Sequence, residues 1–518
     1  MAIVQSGSIN TTALVVPDLY VQIVPPQNTV LNGVPTNVVG VVGSASWGPV
    51  NSPVIVGDYP GYARAFGPLQ NRLYDMGTHV ATAIQQGANN FRCVRVTDGT
   101  DTAATSTGVT TCITFTAAYT GSLGNNLTVA ISTGSKASSY RAVVSMPNFA
   151  PEVFDNITGT GNAFWVALAA AINNGTSIAR GPSQLITATA GSGTTAPTAT
   201  TCTFTGGTDG VATPATVATN LIGTDTAPRT GMYALRGQGC SIALLADLST
   251  STTWTTQAAF GLAEGIYMIC TGPSGDTVSN AVTTKSTAGL DSYAVKLMFG
   301  DWVYWSDQVN GVLRYVSPQG FVAGRLANLS PEQSSLNKQV YGVAGSQKSA
   351  SGFGQAGVYA QADLQALFQA GIDVISNPQP GGSYWGVRCG HNSSSNSGTN
   401  GDNYTRLTNY IASTLNAGMG QYVGQLINAT LFQRVKATLN SFLSNMLTQG
   451  QLGSLDGSLP YSVVCDTTNN PQSRTGLGYV QADVAVQYQG INEKFLVNLQ
   501  GGQTVTVQRT GGAGAVSI

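Results

Sequence analysis

Apolar residues recur along this chain at two periods, and the clearest helical one lies near the C-terminus. Phe432, Val435, Leu439, Phe442, Leu443 and Met446 step by three and four residues, which places them on one stripe of a helix. Asn428 is placed to cap its start and Gly450 its end. Burying such a stripe contributes about 1.5–3 kcal/mol per large side chain, enough to found a domain. A further helix-length pattern, opened by Arg406 and Asn409, precedes it. Downstream the period becomes two. Val480, Ala482, Val484, Val486 and Tyr488 share one face of a predicted strand, with Gln481, Asp483 and Gln487 on the other. Gly490-Ile491-Asn492-Glu493 then reverses the chain into a second predicted strand from Lys494 to Leu499. Gly501-Gly502 breaks it, and Thr504 to Gln508 alternates again.

Upstream, Val15 to Val24 is an extended segment, and the prolines Pro17, Pro25 and Pro26 restrict it to an edge position. A strand at Val38 to Val42, a helix over Arg72 to Gln86 and a strand at Phe91 to Val96 follow. From Thr97 the chain is rich in Thr, Ser, Ala and Gly. Short strands are predicted at Cys112 to Phe115, Leu127 to Ser132 and Tyr140 to Val144, and a helix at Phe164 to Asn173. From about Ala215 buried strands and helices alternate. The strands are Cys240 to Leu245, Ile266 to Cys270 and a pair or one long strand within Ala294 to Trp305; the helices are Trp254 to Glu264, Asp276 to Lys285 and Ser317 to Leu329. That alternation predicts an α/β layer with partly parallel strands. A helix at Gln361 to Ala370 and short strands at Ile372 to Ile375 and Tyr384 to Val387 lead into the C-terminal helices.

Composition narrows the classes of function. A chain of 518 residues exceeds one ordinary core, so several domains are expected. Only 9% of residues are charged and the formal net charge is −1. Such a chain has no electrostatic grip on a phosphate backbone or an anionic bilayer, which makes nucleic acid and membrane poor partners. Weak charge also means weak repulsion between copies, and with 63 glycines it suits a β-rich protein packed against itself. The first residues, Met1 to Ser6, lack the basic start and apolar core of a signal peptide. No apolar run approaches the ~20 residues that span a bilayer. Seven scattered cysteines, odd in number and set among strand-like neighbours, read as buried thiols of a reducing compartment. Assembly in a cytoplasm is the expectation.

Candidate chemistry is sparse. Gly352-Phe353-Gly354-Gln355-Ala356-Gly357 fits G-x-G-x-x-G, but a polar Ser346 to Ser351 spacer stands where a strand should lead into it, so a flexible loop is the expected reading. His79 and His391 are the only histidines; Cys389 lies near His391, yet no second pair completes metal spacing. Cys465 has no evident base. Asp98, Asp101 and Asp276 sit beside Gly and Thr, where acids build turns. No cofactor, no metal and no enzymatic activity are expected. Arg434, Lys436, Glu493 and Lys494 are charges in a charge-poor region; they read either as solvated tips or as contacts that set register with a partner.

The order helix, helix, Pro460-Tyr461-Ser462-Val463-Val464-Cys465-Asp466, Asn469-Asn470-Pro471 and paired strands resembles the C-terminal core domain of contractile-tail phage sheath proteins. A second likeness lies upstream, where Pro17-Asp18-Leu19-Tyr20-Val21 leads into Gly33-Val34-Pro35 and Gly48-Pro49-Val50-Asn51-Ser52-Pro53-Val54. Shorter phrases at Gly300-Asp301-Trp302, Ser317-Pro318-Gln319-Gly320, Leu336-Asn337-Lys338 and Asp402-Asn403-Tyr404-Thr405-Arg406 also look sheath-like. The resemblance implies a mixed α/β multidomain fold whose core is assembled from N- and C-terminal parts. The expected division is an arm (1–30), a first core part (31–96), an inserted mainly β domain (97–214), an α/β domain (215–345), a C-terminal core domain facing an inner tube (346–500) and a C-terminal arm (501–518). It implies a helical homo-oligomer around an inner tail tube, with baseplate and tail terminator proteins as further partners, in the tail of a virion or related particle. Val15, Tyr20, Val21 and Ile23, with Thr504, Val505, Thr506 and Val507, are the strand-capable arm residues expected to link neighbours. The alternatives are a secreted or surface β-rich adhesin-like structural protein and, further off, a nucleotide-binding α/β enzyme.

Overall fold

The computed structural model describes residues 2–4, 20–22, 31–211, 214–348, 358–501 and 503. Its centre is a seven-stranded sheet in the order Ile372–Asp373, Val295–Met298, Tyr267–Thr271, Ile242–Leu245, Val39–Gly43, Phe91–Arg95 and Pro53–Val56. Every neighbouring pair is parallel except the last, where Pro53–Val56 runs antiparallel to Phe91–Arg95. Parallel strands are covered on both faces, which is why they read as unbroken apolar runs. The two-residue period then divides them between two cores. Val39, Val41, Ile242, Leu244, Tyr267 and Ile269 enter one, against helices Tyr59–Phe66, Met76–Gln85 and Gln319–Ala327. Val38, Val42, Ala243, Leu245, Met268 and Cys270 enter the other, against helices Trp254–Glu264, Val278–Ala288 and Gln361–Gln369.

Local signals explain the helix ends and spacing. Asp75 accepts from the Thr78 amide at 2.8 Å and caps the Met76–Gln85 helix. Helix Gln319–Ala327 lies so close to it that a Cβ on Gly324 would stand 2.5 Å from the Ala83 Cα, so glycine is required there.

Residues 103–203 form a three-stranded and a four-stranded antiparallel sheet packed with helix Asn162–Asn174 around Phe115, Phe154, Phe164 and Trp165. Trp47, from the loop after the central strand, is buried in that core. Arg95, fully buried, donates to Gly48 O at 2.8 Å and Thr120 O at 2.7 Å, and Arg72 pairs with Asp209. These ties fasten the β region to the edge of the central sheet.

The C-terminal part packs helices Asp402–Gly418 and Ala429–Thr448 against a two-stranded antiparallel sheet, Tyr461–Val464 with Asp483–Val486. All six residues of the predicted stripe are buried, and Leu31, Leu407, Ile411, Val463 and Cys465 complete that core. Asn428 accepts from the Leu431 amide at 2.8 Å as the cap, and Gly450 stands just past the end at φ +74°. Val484 and Val486 turn toward the helices, whereas Asp483 and Ala485 are exposed.

Of the pair or one long strand expected within Ala294 to Trp305 two strands are found, and several other predicted strands differ in bounds or placement. Ala294 to Trp305 is two strands in separate sheets, Val295–Met298 and Val303–Asp307, because the chain turns at Gly300, where a Cβ would meet Pro273 O at 2.0 Å. The Val480 to Tyr488 strand shortens to Asp483–Val486. Lys494 to Leu499 is not a strand: residues 487–500 carry no regular structure and pair with no strand among the described residues. Tyr20 and Val21 lie in a strand, Tyr20–Gln22, paired in parallel with Ala2–Val4. Val15, Ile23, Gly352 to Gly357 and Thr504 to Gln508 lie outside the described residues.

Candidate functional site

Where the C-terminal helices meet the central sheet, the sequence places a charge inside each element. Lys296 sits in the middle of the buried strand Val295–Met298, Asp373 ends the edge strand beside it, and Asp402 opens the helix Asp402–Gly418. The side chains of Lys296, Asp373 and Asp402 are 0%, 1% and 0% exposed. Lys296 Nζ stands 2.6 Å from Asp373 Oδ2, 3.0 Å from Asp402 Oδ1 and 3.0 Å from the His391 carbonyl. Each carboxylate is further satisfied. Asp373 accepts from the amides of Val374, Cys389 and Gly390 at 2.7–2.9 Å. Asp402 accepts from Tyr267 Oη at 2.6 Å and from the Ser335 amide and hydroxyl, at a helix N-terminus that itself favours negative charge.

Burial alone would raise the Asp402 carboxyl, but Lys296, Ser335 and Tyr267 together hold it below its ordinary value. Burial alone would lower the Lys296 ammonium; Asp373 and Asp402 reverse that and hold it raised. The group is therefore a satisfied ion cluster that locks three elements in register, since removing one partner leaves a buried charge uncompensated. One turn on, Arg406 donates to the carbonyls of Leu329 and Ser330 at 2.7 and 2.9 Å, closing the end of the Gln319–Ala327 helix. Its burial lowers the guanidinium to about 10. Asn403 donates to Gln489 O and Thr405 to Tyr293 O. The first turn of this helix is a hub joining sheet, helix and C-terminal segment. Sequence reasoning passed over Lys296; the signal was a lysine inside an apolar strand, which demands a buried counter-charge.

The crevice where an α/β sheet ordinarily takes a ligand lies between the carboxyl ends of Val39–Gly43 and Ile242–Leu245, at the reversal of strand order. Protein groups fill it. His79 Nε2 stands 3.0 Å from Asp247 Oδ1, and Gln319 donates to Leu245 O and Ile269 O while accepting from the Asp247 amide. With His79 1% exposed, this histidine and carboxylate fasten the crevice shut.

The remaining singled-out residues divide clearly. Asp98 accepts from Thr100, and Asp276 from Thr277 and Asn280, both within local turns. All seven cysteines are free and buried. Among the described residues no cluster of His, Cys, Asp and Glu fits a metal ion, and no helix is long and apolar enough to cross a membrane. Arg434 is exposed and reaches Gln425 Oε1 at 3.1 Å, with its guanidinium 5.9 Å from the Tyr422 ring centroid; Lys436 is half-buried on the same helix. Glu493 pairs instead with His391 at 2.6 Å, and Lys494 is exposed. Thus the four charges do not form one cluster.

The C-terminal residues carry large apolar side chains in solvent. Phe495 is 83% exposed, Leu496 82% and Leu499 91%, and Leu477 and Tyr479 on the preceding turn are also exposed. A surface of this kind marks an interaction face when it is contiguous and unpartnered.

No family model and no curated protein sequence matches the chain. Solved structures do. A sheath tail protein from Listeria innocua aligns with a TM-score of 0.59 at 14% identity, covering 85% of this chain and 90% of that one. A sheath tail protein from Desulfitobacterium hafniense aligns with a TM-score of 0.56 at 14% identity, over 85% and 92%. The PVC sheath complex of an extracellular contractile injection system, in its contracted state, aligns with a TM-score of 0.53 at 11% identity, over 95% and 99%. The chain has the mixed α/β fold of these proteins.

Proposed function

We propose, from a fold shared with contractile sheath proteins, that this chain is the structural subunit of a contractile tail sheath. The observation that carries the reading is the alignment with a contracted sheath over 95% of this chain and 99% of that one. Copies polymerise helically around an inner tube, and the polymer shortens to drive the tube through a cell envelope. The partners are further copies of the chain, the tube protein, and baseplate and terminator proteins at the two ends. Residues 346–500 face the tube, 97–214 form the inserted domain, and assembly takes place in the host cytoplasm. No catalytic step is involved, because the extended state is trapped during assembly.

Neighbours are linked by strand exchange through residues 1–30 and 501–518, with Val15, Tyr20, Val21, Ile23 and Thr504 to Val507 as the paired residues. The open edges of the Tyr461–Val464 and Asp483–Val486 pair and the unpaired, apolar 494–499 segment support this reading. At a net of about 0.5–1.5 kcal/mol per backbone hydrogen bond, one arm holds modestly and several arms hold a lattice while the bodies turn as rigid units. Deleting residues 1–24 or 501–518 leaves a folded monomer that forms no tubes by electron microscopy; normal tubes from both truncations would refute the exchange.

A further inference from the structure

The helix Asp402–Gly418 lays one face across the amino ends of three parallel strands. Arg406, Asn409, Tyr410 and Ser413 fall three and four residues apart, so they share that face. Opposite them run the segments that lead into Val39–Gly43, Ile242–Leu245 and Tyr267–Thr271. The Val34 amide donates to Thr414 Oγ1 at 3.2 Å, which holds the first of these segments to the helix. Between helix and strand ends lies a cavity of about 410 Å³. Its floor, Leu235, Cys240 and Ile266, is buried and apolar, and its mouth lies at the exposed Asn416 and Ala417.

The polar groups of this cavity are donors with too few acceptors. Arg406 is 5% exposed, and its two terminal nitrogens donate to the carbonyls of Leu329, Ser330 and Thr36, which leaves its Nε–H without an acceptor among the described residues. Asp402 and Glu332 act on the guanidinium only from a distance, and Asp402 is already committed to Lys296, Tyr267 and Ser335. Its charge is thus solvated by dipoles and has no counter-ion in contact. One turn on, Asn409 Nδ2 is buried with no hydrogen-bond partner among the described residues, and such a group costs free energy until something accepts from it. Glu264, the single carboxylate on the cavity wall, is held by Arg236 at 2.9 Å. We propose that the cavity binds a small free carboxylate with an apolar body, its oxygens between Arg406 and Asn409 and its body on Leu235 and Ile266. A single guanidinium matches one negative charge, which favours a carboxylate over a dianionic phosphate, and the apolar floor favours an organic anion over a halide. The volume is that of a small-molecule site. A ligand there ties the helix to the strand ends and so stabilises the folded body. The site lies within one chain and does not depend on the sheath reading.

Sodium butyrate is the probe, and butyramide, of the same shape without the charge, is the control. Each is titrated into the full-length protein at constant ionic strength, with binding read by saturation-transfer NMR and by the melting temperature. Butyrate binds saturably and raises the melting temperature, and butyramide binds about tenfold more weakly, the loss expected when a hydrogen bond to a charged group is removed. Asn409→Asp sets a second carboxylate against the ligand and weakens butyrate by about tenfold. Ser413→Leu fills the cavity from the helix side and weakens butyrate and butyramide alike. Both positions are half-buried, and if one variant melts early the other carries the test. Butyrate that does not saturate, butyramide that binds as tightly as butyrate, or a folded variant with wild-type affinity overturns the assignment.

Discussion

Two sheets of this molecule are built from similar residues and end in opposite conditions. The central seven-stranded sheet is covered on both faces and its one internal cation, Lys296, is matched by Asp373 and Asp402. The C-terminal pair, Tyr461–Val464 with Asp483–Val486, has one face on the helix Ala429–Thr448 and its edges unpaired, and the apolar run that follows it is in solvent. The difference is one of completeness. The first sheet has helices of the same chain on both faces, and the second has them on one. A face covered on both sides is closed to further pairing, and an unpaired edge is a template for a further strand.

The sharpest way to break the comparison is to damage the closed side. Lys296→Met leaves two carboxylates buried without their cation, and the expected loss is about 3–5 kcal/mol of unfolding free energy, read by urea denaturation. A loss below about 1 kcal/mol would mean that the joint does not fasten the C-terminal helices to the sheet.

A smaller effect tests the closed side through pH. Burial raises the Asp75 carboxyl to about 6, partly offset by Arg72 and by Thr78. A carboxyl raised in the folded state binds its proton there more tightly than in the unfolded chain. Its contribution is present below the unfolded value near 3.8 and is lost as pH rises through about 6. Asp75→Asn keeps a cap for the Thr78 amide and removes the titration. The stability difference, variant minus wild type, should therefore grow in the variant's favour between pH 4 and 6, by up to about 1.4 kcal/mol per pH unit. A constant difference across that window would contradict the burial of a protonated carboxyl.

The smallest effect on stability belongs to the open side. Leu496→Ser removes an apolar side chain already in solvent, so the monomer's unfolding free energy should change by less than about 0.5 kcal/mol. Assembly, followed by light scattering, should nevertheless fall sharply. Equal assembly would show that the strip is not a contact face.

Much of the closed side was legible because it rests on local pattern. The stripe from Phe432 to Met446 gave the helix and its core face, the predicted helix Trp254 to Glu264 has the observed bounds, and unbroken apolar runs marked the parallel strands. The joint was not legible, because Lys296 meets partners 77 and 106 residues away and no local period reports such a meeting. Glu493 and His391, separated by 102 residues, were singled out apart for the same reason. The predicted Lys494 to Leu499 strand failed differently. Alternation records the capacity to pair, and among the described residues that segment is paired with no strand.

The account's central claim is that the open side is completed by other copies of the chain, and electron microscopy of the purified full-length protein tests it most directly. With so few charges to repel or attract, association should strengthen with protein concentration and with sulfate, which favours apolar burial. The account predicts hollow helical tubes, wide enough to enclose another tube, in which residues 490–501 are buried between neighbours. Monodisperse single particles at every concentration and salt condition, with Phe495 to Leu499 still exposed, would contradict it.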